Sequence, residues 1–194
     1  MRIIAGTLGG RLLKSPTGSE CRPAMGRTRE ALFSMLGARG ILWEEISVMD
    51  IFAGSGSLAL EALSRGARRA LVVENAPRIL RCLRANVASL GLGERVDVFT
   101  DDALGFLRRG AAEPFGMVFI DPPYRKDLVS PALRFLVEKG WLADGALVSA
   151  ETEKDLRFTV PDALREVAER LFGQTRVRIW RHRPGGADRT EETQ

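Results

Sequence analysis

The sequence predicts a doubly wound α/β sheet, mostly parallel, preceded by a small hairpin-plus-helix extension. Two observations carry this. From Ile46 onward, short apolar runs of strand length alternate with segments of helical periodicity, and strands separated by helices pair in parallel through right-handed crossovers. The first of those runs ends in a glycine-rich turn, FAGSG, that opens directly into a helix, the arrangement by which α/β sheets hold ligands at their carboxyl edge. A chain of 194 residues suits one such domain with its own core.

The segment MRIIAGTLGGRLLKSP reads as two short strands around Gly9-Gly10. A helix follows from Gly26 to Ala38, with Ala31, Leu32, Met35 and Leu36 on one arc and Arg27, Glu30 and Ser34 on the other. Arg29 falls on the apolar arc, so it must snorkel at the helix end or serve a ligand. ISVMDIF (Ile46 to Phe52) is a strand and SLALEALSRG a helix, with Gly66 past its end. ALVVEN (Ala70 to Asn75) is the next strand; Pro77 opens a helix that stops near Gly91. VDVFT, a helix over Ala103 to Arg108, MVFID, a helix over Leu128 to Lys139, and ALVSAE continue the alternation. Toward the end, Leu164, Val167, Ala168, Leu171 and Phe172 fit a helical stripe, yet Gly173-Gln174 before TRVRIW equally fits a hairpin turn. TRVRIW itself is a strand, and residues 184–194 form a polar, mobile tail.

Charge is unevenly placed. The net charge is +4, but residues 1–40 alone carry Arg2, Arg11, Lys14, Arg22, Arg27, Arg29 and Arg39 against Glu20 and Glu30, which leaves the remainder nearly balanced. A basic segment in front of a neutral body fits a polyanion-binding extension, and equally a solvated face. Cys21 and Cys82 stand alone and His182 is the only histidine, so neither a zinc site nor a disulfide scaffold is expected. MRIIAGTLGG lacks a sustained apolar stretch with a small-residue cleavage site, and no apolar run matches a membrane span. A cytoplasmic, monomeric protein without a membrane partner is the simplest expectation. Trp43, Trp141 and Trp180 are widely spaced and read as core anchors.

The turn in MDIFAGSGSLALEALSRGA lets a ligand approach backbone where a side chain would collide, and the helix behind it offers free N–H groups. Gly54, Gly56 and Ala59 satisfy G-x-G-x-x-G/A, and Glu74 stands twenty residues beyond Gly54, where a ribose-binding acid belongs. This alone fits a nicotinamide dinucleotide as well as a nucleoside. Asp50 tips the balance: it would repel a dinucleotide phosphate but can pair with the cationic amino-acid portion of S-adenosylmethionine. Asp102 could accept the N6 amine of an adenine while the Ala103 N–H donates to the ring; an ordinary helix N-cap explains Asp102 as well.

The ordered set MRIIAG…GRLLKSP, RPAMGRTREALF, DIFAGSGSLALEALSRGA and DPPY resembles the bacterial 16S ribosomal RNA guanine-N2 methyltransferases, from the first residue to about Glu151. The resemblance implies a seven-stranded Rossmann-like methyltransferase sheet whose last strand is antiparallel, with the Arg165 to His182 region forming the final antiparallel pair. It also implies an RNA-contacting extension over residues 1–40, a catalytic domain over 41–183, and 16S ribosomal RNA as partner, alone or within an assembling small subunit. Carried over by position, Asp50, Phe52, Gly54 and Gly56 line S-adenosylmethionine, with Ala53 beside them. Glu74, followed by Asn75, takes the ribose, and Asp102 with Ala103 the adenine. Ala24 and Gly26 depart from a hydroxyl and an acid common in the family, and Ala59 from a glycine.

The chemistry of Asp121-Pro122-Pro123-Tyr124 fits that expectation. An exocyclic amine is a poor nucleophile because its lone pair is delocalised into the ring. Two acceptors around it, the Asp121 carboxylate and the Pro122 carbonyl, favour the sp³ geometry needed for attack and bind the cationic transition state better than the ground state. Tyr124 is placed to stack on the extruded base. An isolated D-P-P would instead be a strand end in which Asp caps and Tyr packs. Arg22, Arg27 and Arg29 are the phosphate-contact candidates, with Arg2, Arg11 and Lys14 as helpers. Because the motif poses any exocyclic amine, an adenine-N6 methyltransferase remains an alternative. So do a nicotinamide-dependent oxidoreductase and a non-catalytic RNA-binding module.

Overall fold

The computed structural model describes residues 1–15, 23–124 and 127–183, with residues 23–25 as backbone only. Cys21, Arg22 and the tail at 184–194 lie outside the described residues. Among the described residues, the α-helices and β-strands follow in order: α1 (Pro23–Gly37), β1 (Val48–Asp50), α2 (Ser57–Ser64), β2 (Ala70–Val73), α3 (Pro77–Ser89), β3 (Val96–Phe99), α4 (Ala103–Arg108), β4 (Phe115–Ile120), α5 (Val129–Glu138), β5 (Leu142–Glu153), β6 (Leu164–Phe172) and β7 (Thr175–His182). Helix α1 starts three residues earlier than the periodicity indicates, with Pro23 at its first position, where a missing N–H costs nothing.

The strands form one sheet in the order β3-β2-β1-β4-β5-β7-β6. The pairs from β3 to β5 are parallel, and β7 inserts antiparallel between β5 and β6. This is the doubly wound sheet with a reversed final strand that the family resemblance implies, and it resolves the ambiguous terminal segment as strand β6. A register shift between Glu166 and Ala168 explains the ambiguity: a bulge breaks the two-residue alternation of an edge strand and leaves a spacing that mimics a helical stripe.

Side chains of the central strands alternate between two cores. Met117 and Phe119 face the layer of α1, α2 and α3, while Val118 and Ile120 face α4 and α5. Trp141 and Trp180 are buried in the second core, and Trp43 packs on Phe33 with ring centroids 5.5 Å apart. His182 is buried, its Nδ1 2.9 Å from the Ala143 carbonyl.

The N-terminal hairpin is reduced to a single bridge, Arg2 to Leu12, with Ile3 and Leu13 driven into the first core. Ile3 and Leu13 N–H still donate across it, to the Arg11 and Met1 carbonyls at 3.0 and 2.9 Å, while other backbone donors go to α2. The Ile4 and Ala5 N–H groups donate to the wholly buried Glu61 carboxylate of α2 at 2.6 and 3.1 Å. Thr7 N–H donates to the Ser64 carbonyl at 2.8 Å. At Gly6 the chain runs so close that a Cβ would sit 1.9 Å from the Ser64 carbonyl oxygen. Asn86 of α3 closes the clamp, accepting from Lys14 N–H and donating to its carbonyl. Among the described residues, no helix is long and apolar enough to cross a membrane.

Candidate active site

The strand order reverses at β1 and β4, so their carboxyl ends diverge and leave a crevice. The glycine turn after β1 forms its floor. Gly54 and Gly56 both have positive φ, +55° and +84°, but for different reasons. A Cβ at Gly56 would meet Leu83 Cδ1 at 2.5 Å, so that glycine serves packing between α2 and α3. A Cβ at Gly54 would meet nothing nearer than the Phe52 carbonyl at 4.0 Å; it would project into open space.

That space is a cavity of about 540 Å³ at the ends of β1, β2 and β4. It brings together Phe52, Gly54, Glu74, Asn75, Asp102, Ala103, Asp121, Pro122 and Tyr124. Glu74 is held by three backbone donors: Gly54 N–H on Oε2 at 3.1 Å, and Asn75 and Ala76 N–H on Oε1 at 2.9 and 2.8 Å. Asp102 caps α4, accepting from Gly105 N–H at 2.8 Å, and it also lines the cavity. Ala53 and Gly56 lie behind the lining.

Asp50 is buried beneath the turn. Burial, reinforced by the neighbouring Asp121, pushes its carboxyl up to about 8, although backbone N–H groups of Phe52 and Ala59 pull the other way. Its Oδ1 has no hydrogen-bond partner among the described residues. A buried acceptor left unpaired is costly and calls for a donor, such as the cationic amine of an amino-acid moiety, although Asp50 lies behind the turn and lines neither cavity. Glu74, held by its three backbone donors, and the open backbone at Gly54 fit S-adenosylmethionine.

A second cavity, of about 590 Å³, lies against the N-terminal hairpin and α1. Arg2, Arg27 and Arg29 line it together with Asp121 and Glu151. Asp121 therefore faces both cavities. The small part of Asp121 that is exposed is cavity surface, and burial raises its carboxyl above the usual range. Glu151 is raised too, first by burial and then by the charge of Asp121; two carboxylates this close resist ionising together. Tyr124 stays 46% exposed rather than packing as a turn residue would, and its hydroxyl lies 2.7 Å from Thr175 Oγ1.

Arg27 is exposed at the cavity wall. Arg29 is buried, and its guanidinium donates to the Arg2 carbonyl and to Met1 Sδ, so it ties α1 to the hairpin. Arg11 donates to the Ser89 carbonyl at 3.1 Å, and Arg22 lies outside the described residues. Three residues escaped the sequence reading: Glu151, Thr175 and Glu61. Only Glu151 left a signal, an acid at the end of the apolar run ALVSA.

A seven-stranded sheet with its final strand reversed, a glycine turn after β1 and a cavity at the switch point define the class: a Rossmann-like methyltransferase fold. The chain belongs to the family described as "Conserved hypothetical protein 95", whose model matches residues 1–181. It is 36% identical over 187 residues to "Ribosomal RNA small subunit methyltransferase D" of Escherichia coli K12, covering 96% of this chain and 92% of that protein. The protein of the same name from Haemophilus influenzae is 34% identical, with 94% of each chain covered. The solved structure of yhhF from Escherichia coli superposes with a TM-score of 0.83 at 36% identity, covering 94% of this chain and 98% of that one.

Proposed function

We propose that this protein transfers a methyl group from S-adenosylmethionine to the exocyclic N2 amine of a guanine in 16S ribosomal RNA. The relatives at 34–36% identity carry the name of a small-subunit ribosomal RNA methyltransferase across nearly their whole length, which supports the reaction and the RNA class. The observation that carries the reading is Asp121, which lines both the nucleoside-fitting cavity and the basic one. A group held by Asp121 stands between a methyl donor on one side and RNA on the other.

When bound, S-adenosylmethionine supplies an electrophilic methyl on a sulfonium. Asp50, Glu74 and Asp102 would hold its amino-acid, ribose and adenine parts. Asp121 accepts one N–H of the target amine and the Pro122 carbonyl the other, which localises the nitrogen lone pair. As charge develops on nitrogen, both acceptors bind more strongly, and this differential lowers the barrier. Tyr124, anchored through Thr175, offers its ring to the extruded base. The described part of residues 1–40 would form the RNA-facing wall, with exposed Arg27 meeting phosphate and buried Arg29 positioning the hairpin; residues 41–183 would carry the chemistry. A monomer acting in the cytoplasm on an assembling small subunit fits this division.

The test is transfer of labelled methyl to small ribosomal subunits lacking the modification, followed by digestion to nucleosides. Labelled N2-methylguanosine is the expected product. Labelled N6-methyladenosine, or no transfer despite tight cofactor binding, contradicts the proposal.

A further inference from the structure

Asp121 does not face the basic cavity alone. Strands β4 and β5 pair in parallel with Ile120 opposite Ala150, so the next residues, Asp121 just past the end of β4 and Glu151 still within β5, stand side by side. Both line the cavity against the N-terminal hairpin, and Asp121 reaches the cofactor side as well. Nothing in the DPPY motif requires a second carboxylate there. Its cost is visible in the electrostatics: burial raises both carboxyls above the usual range, and the charge of Asp121 raises Glu151 further. A buried pair of acids is expensive unless a ligand brings donors to it.

We propose that Glu151 is the residue that selects guanine, its carboxylate accepting the N1–H beside the N2 amine that Asp121 holds. The inference rests on the guanine-N2 reading and sharpens it. Guanine presents donors at adjacent positions, N1–H and N2–H, to two adjacent acceptors. A purine with an amine but a bare N1 presents a lone pair to the Glu151 carboxylate, which repels it. Arrival of two N–H donors favours the ionised form of both acids. Arg2 and Arg27 line the same cavity and add positive potential that works in the same direction.

The discriminating substrate is 2-aminopurine, which keeps the N2 amine and lacks the N1 hydrogen. The guanine methylated by the wild-type protein is mapped, and small subunits are reconstituted with guanine or 2-aminopurine at that position. For the wild type, kcat/KM falls by about a hundredfold or more on 2-aminopurine, because a site built to accept a hydrogen bond rejects a base that cannot donate one. Glu151→Gln, whose amide can accept from N1–H or donate to a bare N1, brings the ratio to within about tenfold. Glu151→Asp keeps a carboxylate and so keeps the guanine preference at a lower rate. The thermal shift given by S-adenosylhomocysteine, equal to wild type, shows that each variant is folded. If Glu151→Gln loses guanine and 2-aminopurine activity alike, or the wild type does not discriminate, the role of Glu151 is overturned while the functional reading stands. Absence of N2-methylguanosine from the wild-type reaction overturns the functional reading and this inference with it.

Discussion

Glu61 ties the N-terminal hairpin to the catalytic sheet, and its removal has a calculable cost. The side chain is wholly buried on α2. It accepts from Ile4 N–H at 2.6 Å, from Ala5 N–H at 3.1 Å and from Arg65 Nε at 2.8 Å. Arg65 also lies over the Phe33 ring, 4.7 Å from its centroid, so the same ion pair touches α1. Glu61→Ala leaves two backbone donors and a guanidinium without their acceptor. Hydrogen bonds to a charged group are worth about 1.5–3 kcal/mol each, and breaking a buried pair costs about 3–5 kcal/mol in all. For a chain of this size that lowers the melting temperature by about 10 °C. The assay is calorimetric or fluorescence-monitored unfolding, paired with hydrogen exchange at the Ile4 and Ala5 amides, which should lose protection before the β4 and β5 amides do. Glu61→Gln, which keeps one acceptor but turns a donor toward donors, should fall between. A Glu61→Ala protein that melts within about 2 °C of wild type and keeps those amides protected would refute the idea that this carboxylate holds the hairpin.

Other expectations concern the site itself. Asp50 is raised to about 8 and Glu151 is raised as well, whereas an unfolded carboxyl titrates near ~4. The fold therefore binds these protons more tightly than the unfolded chain does. Their contribution to stability should be fullest at acid pH and decline as pH rises toward about 8, as the difference between wild-type and Asp50→Asn melting curves from pH 5 to 9 would register. Gly54→Ala should weaken S-adenosylhomocysteine binding with a loss of about 1–2 kcal/mol in fold stability from its positive φ. Gly56→Ala, colliding with Leu83, should destabilise more, and thermal shift with and without ligand separates the two. Tyr124→Phe keeps the ring and loses only the Thr175 contact, so kcat/KM should fall a few-fold at most; Tyr124→Ala should cost about ten- to a hundredfold, the worth of a base–aromatic stack.

How far the site could be read from the sequence depended on whether its signals were local. The glycine turn, Glu74 and the DPPY segment declare themselves because strand, turn and helix are contiguous in the chain, and the cavity brings them together. Glu151 is different. Its significance comes from β5 lying beside β4 in a particular register, and strand order is a property of the whole sheet. Glu61 was hidden for a similar reason: on a helical wheel it is one acid with Arg65 four residues on, and only the docked hairpin makes it a buried anchor. Arg29 shows a partial reading. Its place on the apolar arc of α1 required an unusual partner, and the partner proved to be the Arg2 carbonyl.

Asp121→Ala tests the central claim most directly, by methyl transfer to small subunits lacking the modification with cofactor and RNA binding measured alongside. The account predicts that the variant binds S-adenosylhomocysteine and the subunit as the wild type does, and that kcat falls by about a hundred- to a thousandfold, as expected when a group aimed at developing charge is removed. A variant that still transfers methyl within a few-fold of the wild-type rate would contradict the role assigned to Asp121 at the junction of the two cavities.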